Sequence, residues 1–282
     1  MLWRYEITGA DTITLHFGER IDVALVTRIQ HASTLLREQL GPRLLDLVPS
    51  YTTLLLRYDL LTDDLASLLA DVKAALTALP EPLHAGEPGS GNSDGNSAGD
   101  QQADIIEIPV FYDVSVGPDL DSIAARAGLS IDEVIACHCG ATYNVFAIGF
   151  APGFAYLGEV PRELAAPRLD TPRAKVPPGA VGIADTQTAI YPLASPGGWN
   201  LIGRTPLQMF DPDRERPSLL DAGQRVRFRA IGRDEYLELG GRLDDLPWGT
   251  AEGQKTARKQ TESRDLVSSE PETRDLKNGD RQ

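Results

Sequence analysis

Val176-Pro177-Pro178-Gly179-Ala180-Val181-Gly182-Ile183-Ala184-Asp185-Thr186-Gln187-Thr188-Ala189-Ile190-Tyr191-Pro192 reads as short apolar strands held between proline and glycine turns. Residues 180–184 and 189–191 are too short for helices and are bounded by residues that interrupt regular structure. The same pattern continues outward. Short apolar segments recur at 144–150, 201–203, 207–210 and 224–230, and Pro-Gly turns are dense between them. Many short strands with frequent turn signals predict a closed or nearly closed β-barrel.

Upstream, the periodicity changes. Residues 12–17 (Thr-Ile-Thr-Leu-His-Phe) alternate as a half-buried strand does, and 3–8 offer a partner. From 21 to 40, Leu25, Ile29, Ala32, Leu35 and Leu36 recur at helical spacing until Gly41-Pro42 ends the run. Strands at 44–48 and 52–58 flank Pro49-Ser50-Tyr51. Asp63 or Asp64 then opens a second helix through Leu68, Val72 and Leu76 to Leu79, and 105–112 forms another strand. Strand, helix, strand, strand, helix, strand is the split βαβ order of ferredoxin-like domains. The predicted fold class is α+β. A ferredoxin-like α/β domain comprises 1–85 and 103–115, and a barrel domain with leading helices spans 116–240. Those helices begin at Pro118-Asp119-Leu120 and at Ser130, whose spacing to Glu133 is that of a capping box. Residues 86–102 hold no apolar side chain larger than alanine or proline and predict a flexible linker insertion. The mixed-charge polar segment 241–282 predicts a disordered tail.

The 282 residues carry a formal charge of -14, the wrong sign for a nucleic-acid partner or an anionic membrane surface. The helix pair at 119–136 superficially resembles a helix-turn-helix, but its second helix bears Asp132 and Glu133 and no Arg or Lys. No run approaches the ~20 apolar residues of a membrane span, and the N-terminus lacks export-signal features. Cys137 and Cys139 sit too close for an easy disulfide, which points to a reducing cytoplasm. With His138 between them they fall short of the four ligands of a structural zinc site, so no metal is expected on this chain. Walker A and His-Glu-x-x-His patterns are absent from the sequence, and Gly-x-Ser-x-Gly falls only within the linker, at 91–95 and 95–99, without the flanking strand and helix of a nucleophile elbow. Any catalytic role is therefore expected to be shared with partners.

Candidate site residues lie between 138 and 205. His138, near a helix end, is a possible general acid or base, or equally a capping or core histidine. Gly149, Phe150, Pro152, Gly153 and Phe154 combine turn formers with aromatics, as do Ser195, Pro196, Gly197, Gly198 and Trp199. Glycine lets the backbone come close to a ligand, and successive amides can form an anion nest. Arg173, Gln187, Arg204 and Thr205 add polar groups, Arg204 being suited to clamp a carboxylate or phosphate. Each loop taken alone is a turn as readily as a site. Several of them within one barrel suggest a loop-lined concavity.

His138, Tyr143, Gly149-Phe150, Pro152-Gly153-Phe154 and Tyr156-Leu157-Gly158 together resemble the signature of the KipI/allophanate hydrolase subunit 1 family. So do Pro172-Arg173, Val176-Pro177, Gly179, Val181-Gly182-Ile183-Ala184, Gln187-Thr188, Tyr191-Pro192, Ser195-Pro196-Gly197-Gly198-Trp199, Ile202-Gly203-Arg204-Thr205-Pro206 and Phe210-Asp211-Pro212. The likeness extends upstream through Phe17-Gly18, Val48-Pro49-Ser50-Tyr51 and Tyr58-Asp59. Departures are confined to Ala155, Asp185 and Ala189. The resemblance implies a cyclophilin-like C-terminal barrel and a role as the B subunit of an ATP-dependent 5-oxoprolinase. Such a protein acts with subunits A and C to cleave 5-oxo-L-proline to L-glutamate, with ATP, and Mg accompanying it, as the complex's cofactors. The family also includes histidine-kinase inhibitors of the KipI type and the first subunit of allophanate hydrolase or urea carboxylase units, which stand as alternatives.

Overall fold

The computed structural model describes residues 3–79 and 105–248. Two hairpins and two helices make the first unit: β1 (Arg4–Ile7), β2 (Thr12–His16), α1 (Val23–Leu40), β3 (Leu44–Pro49), β4 (Thr53–Tyr58) and α2 (Leu65–Thr77). The strands pair antiparallel in the order β1-β2-β4-β3. Both helices start on an aspartate whose carboxylate accepts from first-turn amides: Asp22 from Ala24, and Asp64 from Ala66 and Ser67. Alternation turns Ile13, Leu15, Leu54 and Leu56 to one face of the sheet. Ile29, Ala32 and Leu36 of α1 cover it together with Leu68, Val72 and Leu76 of α2. Each fully buried Leu or Ile contributes about 1.5–3 kcal/mol, so this small core is a sizeable stabilising term.

The second unit contains β5 (Ile105–Phe111), α3 (Leu120–Ala127), α4 (Ile131–Gly140), β6 (Tyr143–Ile148), β7 (Ala155–Gly158), β8 (Arg173–Val176), β9 (Ala180–Ala184), β10 (Gln187–Ile190), β11 (Ser195–Gly197), β12 (Asn200–Arg204), β13 (Arg225–Ile231) and α5 (Arg233–Glu238). Seven strands close a barrel in the order β10-β7-β6-β13-β5-β12-β9, and β8 and β11 form a separate ribbon. Ile108, Val110, Val145, Leu157, Ile183, Ile202 and Phe228 belong to its core. The capping box at Ser130 and Glu133 is present and starts α4. Closure leaves these seven strands without the open edges that invite association.

Three expectations are corrected. Residues 105–112 do not complete the first sheet. β5 instead runs parallel to β13 from Ile105↔Arg225 to Phe111↔Ile231. Ile108, Pro109, Val110 and Phe111 are all buried, as suits a strand covered on both faces and not a half-exposed edge. In the first sheet β1 pairs with β2, where the ferredoxin-like order needs its last strand. Residues 207–210 provide one bridge, Phe210↔Ser218, and no strand. The segment 241–248, assigned to a disordered tail, is folded. Leu243 and Leu246 pack on Phe111, Val116, Ile231 and Tyr236, and the Trp248 indole donates to the Ser115 carbonyl at 2.8 Å. The linker insertion at 86–102 and the tail beyond 248 lie outside the described residues.

Side chains join the two units. Gln30 on α1 donates to the Ala222 carbonyl at 2.8 Å, and Gln187 on β10 donates to the Tyr51 hydroxyl at 3.0 Å. A crevice of about 460 Å³ separates α1 and β3 from the barrel near Ile148 and Asp221. Among the described residues no helix is long and apolar enough to cross a membrane.

Candidate functional site

The hairpin between β6 and β7 turns through Gly149-Phe150-Ala151-Pro152-Gly153-Phe154. It is held by Gly149 N–H to Phe154 O and Phe154 N–H to Ala151 O, both at 3.0 Å. Gly153 has φ +77°, and a Cβ there would press on the Met209 carbonyl and the Phe210 side chain, so glycine is required. Phe150 also adopts a left-handed φ of +70° with its side chain 68% exposed. A bulky residue in that region marks strain of the kind concentrated at binding sites.

Phe154 is the hub of an aromatic cluster. Its ring meets Phe150, Tyr156, Tyr191 and Trp199 edge to face at 5.2, 4.8, 5.4 and 5.9 Å. Each such pair adds about 0.5–1.5 kcal/mol beyond area burial, which fixes the rings relative to one another. Between them opens a pocket of about 230 Å³, with Gly197, Gly198, Pro172 and Pro196 on the opposite wall and Arg168 beside it. Gly197 is obligatory, because a Cβ there would collide with the Tyr191 ring and hydroxyl. Tyr191 accepts from the Trp199 backbone N–H, and burial carries its hydroxyl up to about 12, so it stays protonated and able to donate. Arg168 is exposed, and among the described residues it forms no ion pair or hydrogen bond.

The pocket gathers Phe150, Phe154, Pro196, Gly197, Gly198 and Trp199 from the sequence candidates. Gly149, Pro152 and Gly153 shape the hairpin, and Ser195 pairs with Val176 in the ribbon. Four polar candidates are engaged elsewhere. Arg204 is 4% exposed and spends its guanidinium inside the chain: Nε on the Pro178 carbonyl, Nη1 on the Arg242 carbonyl, and both terminal nitrogens on Asp245 at 2.6 and 2.8 Å. It is a structural clamp and has no free fork for a ligand. Thr205 is buried and accepts from the Leu207 amide. Arg173 pairs with Asp119 at 2.7 Å and reaches the Trp199 carbonyl at 3.3 Å, bracing the pocket wall from outside the lining. Asp119 in turn accepts from the Leu201 amide at 2.7 Å. Gln187 holds Tyr51, whose ring lies 6.0 Å from that of Tyr156.

Of the two readings open for His138, the buried position agrees with that of a core histidine. It is fully buried, stacked on Phe228 at a centroid distance of 4.5 Å. Thr188 donates to the Gly182 carbonyl, so His138 Nε2–H donates to Thr188 Oγ1 at 3.1 Å and Nδ1 accepts from the Tyr112 hydroxyl at 2.7 Å. Burial pulls its pKa down to about 3. A neutral imidazole with both nitrogens occupied and no exposed surface packs α4 onto the barrel; it is not placed to exchange protons with a ligand in the aromatic pocket. Among the described residues no cluster of three or more His, Cys, Asp or Glu could hold a metal ion.

Four pocket residues, Tyr156, Arg168, Pro172 and Tyr191, are not among the sequence candidates. Tyr156, Pro172 and Tyr191 stand in family-like motifs, and Tyr191 reads as the end of a strand. Arg168 sits in Ala165-Ala166-Pro167-Arg168, a stretch without strand or helix pattern, and offers no signal in isolation.

The model of the family described as carboxyltransferase domain, subdomain C and D, matches residues 3–220. The B subunit of 5-oxoprolinase from Bacillus subtilis (strain 168) is 35% identical over 84% of this chain and 97% of its own length. The corresponding 5-oxoprolinase B subunit of Escherichia coli O157:H7 is 52% identical over 44% of this chain and 57% of its own. A crystal structure of TTHA0988 superposes with a TM-score of 0.64 at 38% identity, over 79% of this chain and 40% of that one. This chain thus spans about two fifths of the TTHA0988 chain. Urea carboxylase of Kluyveromyces lactis shares the fold, with a TM-score of 0.60 at 17% identity over 95% of this chain and 26% of that one. A family match across most of the chain and a relative aligned over nearly its full length agree: the chain belongs to the carboxyltransferase subdomain C and D family, in the group of 5-oxoprolinase B subunits.

Proposed function

We propose that this chain is the B subunit of an ATP-dependent 5-oxoprolinase, acting with subunits A and C to convert 5-oxo-L-proline to L-glutamate. The observation that carries the reading is the 35% identity spanning 97% of a relative of that name. The TTHA0988 chain contains this fold as a minority of its length, which supports a unit that works beside others.

The chemistry suits a shared site. An unstrained lactam resists hydrolysis, and transfer of the ATP γ-phosphoryl group to the lactam oxygen would make the ring carbon a better target for water. One water opens the ring C–N bond and a second accounts for release of phosphate, giving glutamate, ADP and phosphate. This chain's contribution is a rigid, partly apolar pocket, in which the clustered rings are held before any ligand arrives.

Co-expression with subunits A and C, followed by measurement of ADP and glutamate formation, tests the reading. Formation of both that depends on 5-oxo-L-proline and on this chain is the expected result; a complete complex without it would overturn the assignment.

A further inference from the structure

We propose that the aromatic pocket takes the small cyclic amide acid itself, with Arg168 holding its carboxylate, and that the nucleotide binds elsewhere in the complex. This rests on the 5-oxoprolinase reading and goes further, since that reading leaves open what the pocket holds. Size speaks first. The pocket is about 230 Å³, below the ~300–1,000 Å³ of sites for larger ligands. A five-membered lactam bearing one carboxylate fits that scale, whereas a base, ribose and three phosphates do not.

Charge speaks second. Arg168 is the one charged residue among those lining the pocket. A single guanidinium matches a single carboxylate, and a triphosphate calls for several cations or a nest of amides. Arg168 also keeps its fork free among the described residues, unlike Arg173 and Arg204, which are committed to Asp119 and Asp245. Its charge reaches the site: burial raises the hydroxyls of Tyr51, Tyr156 and Tyr191, and Arg168 opposes that rise at all three.

The walls suit the remainder of the molecule. The Phe154, Tyr156 and Trp199 rings offer flat apolar surface to the ring methylenes. The Tyr156 hydroxyl makes no hydrogen bond among the described residues, and the Tyr191 hydroxyl retains its own proton after accepting from Trp199. Two hydroxyls are thus available to the lactam amide. Phe150, exposed and in a left-handed conformation, stands at the rim where it can cover an occupant.

Kinetics of the three-subunit complex test this. Arg168→Ala is expected to raise KM for 5-oxo-L-proline about tenfold or more while leaving KM for ATP unchanged, and Arg168→Lys to restore part of the loss. The wild-type preference for 5-oxo-L-proline over 2-pyrrolidinone, the same lactam without the carboxylate, should collapse in Arg168→Ala. A rise in KM for ATP instead would show that the pocket takes the nucleotide. An active wild-type complex whose Arg168→Ala variant keeps both its KM for 5-oxo-L-proline and its preference overturns this inference alone. A wild-type complex inactive with 5-oxo-L-proline overturns the functional reading and this inference together.

Discussion

Gln187 on barrel strand β10 donates a 3.0 Å hydrogen bond to the hydroxyl of Tyr51, which sits in the turn between β3 and β4 of the other unit. Tyr51 also lies 5.6 Å from the Phe146 ring and 6.0 Å from that of Tyr156, a pocket residue. The first unit therefore supports the pocket wall through one aromatic side chain.

Separating the two functions of Tyr51 gives the first prediction. Tyr51→Phe removes the hydrogen bond and keeps the ring, so it should cost about 1 kcal/mol in urea unfolding and leave substrate KM unchanged. Tyr51→Ala removes the ring as well and should raise KM by loosening Tyr156. Equal KM values for the two variants would show that Tyr156 does not lean on Tyr51.

Arg204 and Asp245 give the second. Arg204→Ala would leave the Asp245 carboxylate without its guanidinium partner and the Pro178 carbonyl without its donor, while the Arg242 carbonyl would keep only the Tyr236 hydroxyl. A loss of about 3 kcal/mol of unfolding free energy is expected. Arg204→Lys should recover little, because an ammonium cannot serve two carbonyls and both carboxylate oxygens from one planar fork. Unfolding midpoints in urea decide it, and a near-neutral Arg204→Ala would contradict the clamp.

The legibility of the sequence followed the range of the interactions involved. Helix starts at Asp64 and Ser130 were readable because capping is decided within four residues. Most barrel strands were readable because prolines and glycines bound them. The partner of β5 was not, since nothing local distinguishes a strand pairing with β13, more than a hundred residues away, from one completing the nearer sheet. The folded segment after 240 was hidden for the same reason: Asp245 looks like a polar tail residue until Arg204 is beside it. In the candidate site, Phe150, Phe154, Trp199 and the glycines were found because turn chemistry flags the loops that carry them, whereas Tyr156 and Tyr191 were not. The roles of the polar candidates were not legible because an arginine's role depends on its partner, which the sequence does not name. Arg173 and Arg204 have partners, and Arg168 has none among the described residues.

Gly197 gives a third prediction. A Cβ at this position would strike the Tyr191 hydroxyl and ring. Gly197→Ala should push that ring out of place, narrowing the pocket while the buried barrel core stays intact. The expected signature is a several-fold higher KM for the small substrate together with an overpacking loss of about 1–3 kcal/mol in unfolding free energy. A large drop in stability with unchanged KM would instead assign Gly197 to the ribbon formed with β8.

The last prediction concerns pH and His138. Its folded pKa lies at about 3, below the usual 6.5, because burial disfavours the cation. Between these values the unfolded chain binds a proton that the folded chain does not. Stability from this group is fully present above pH ~6.5 and declines as pH falls toward ~3, with a slope of about 1.4 kcal/mol per pH unit. Nearby buried groups do not titrate in this window: burial pushes the hydroxyls of Tyr112 and Tyr143 and the thiol of Cys139 upward, away from it. His138→Asn should be less stable at pH 7, since Tyr112 and Thr188 lose part of their bonding. Its unfolding free energy should fall less steeply from pH 6.5 to 4.5 than that of the wild type, by roughly one proton's worth of slope. Parallel pH profiles for the two proteins would mean that His138 is protonated in the folded state, and would reopen its case as a proton carrier.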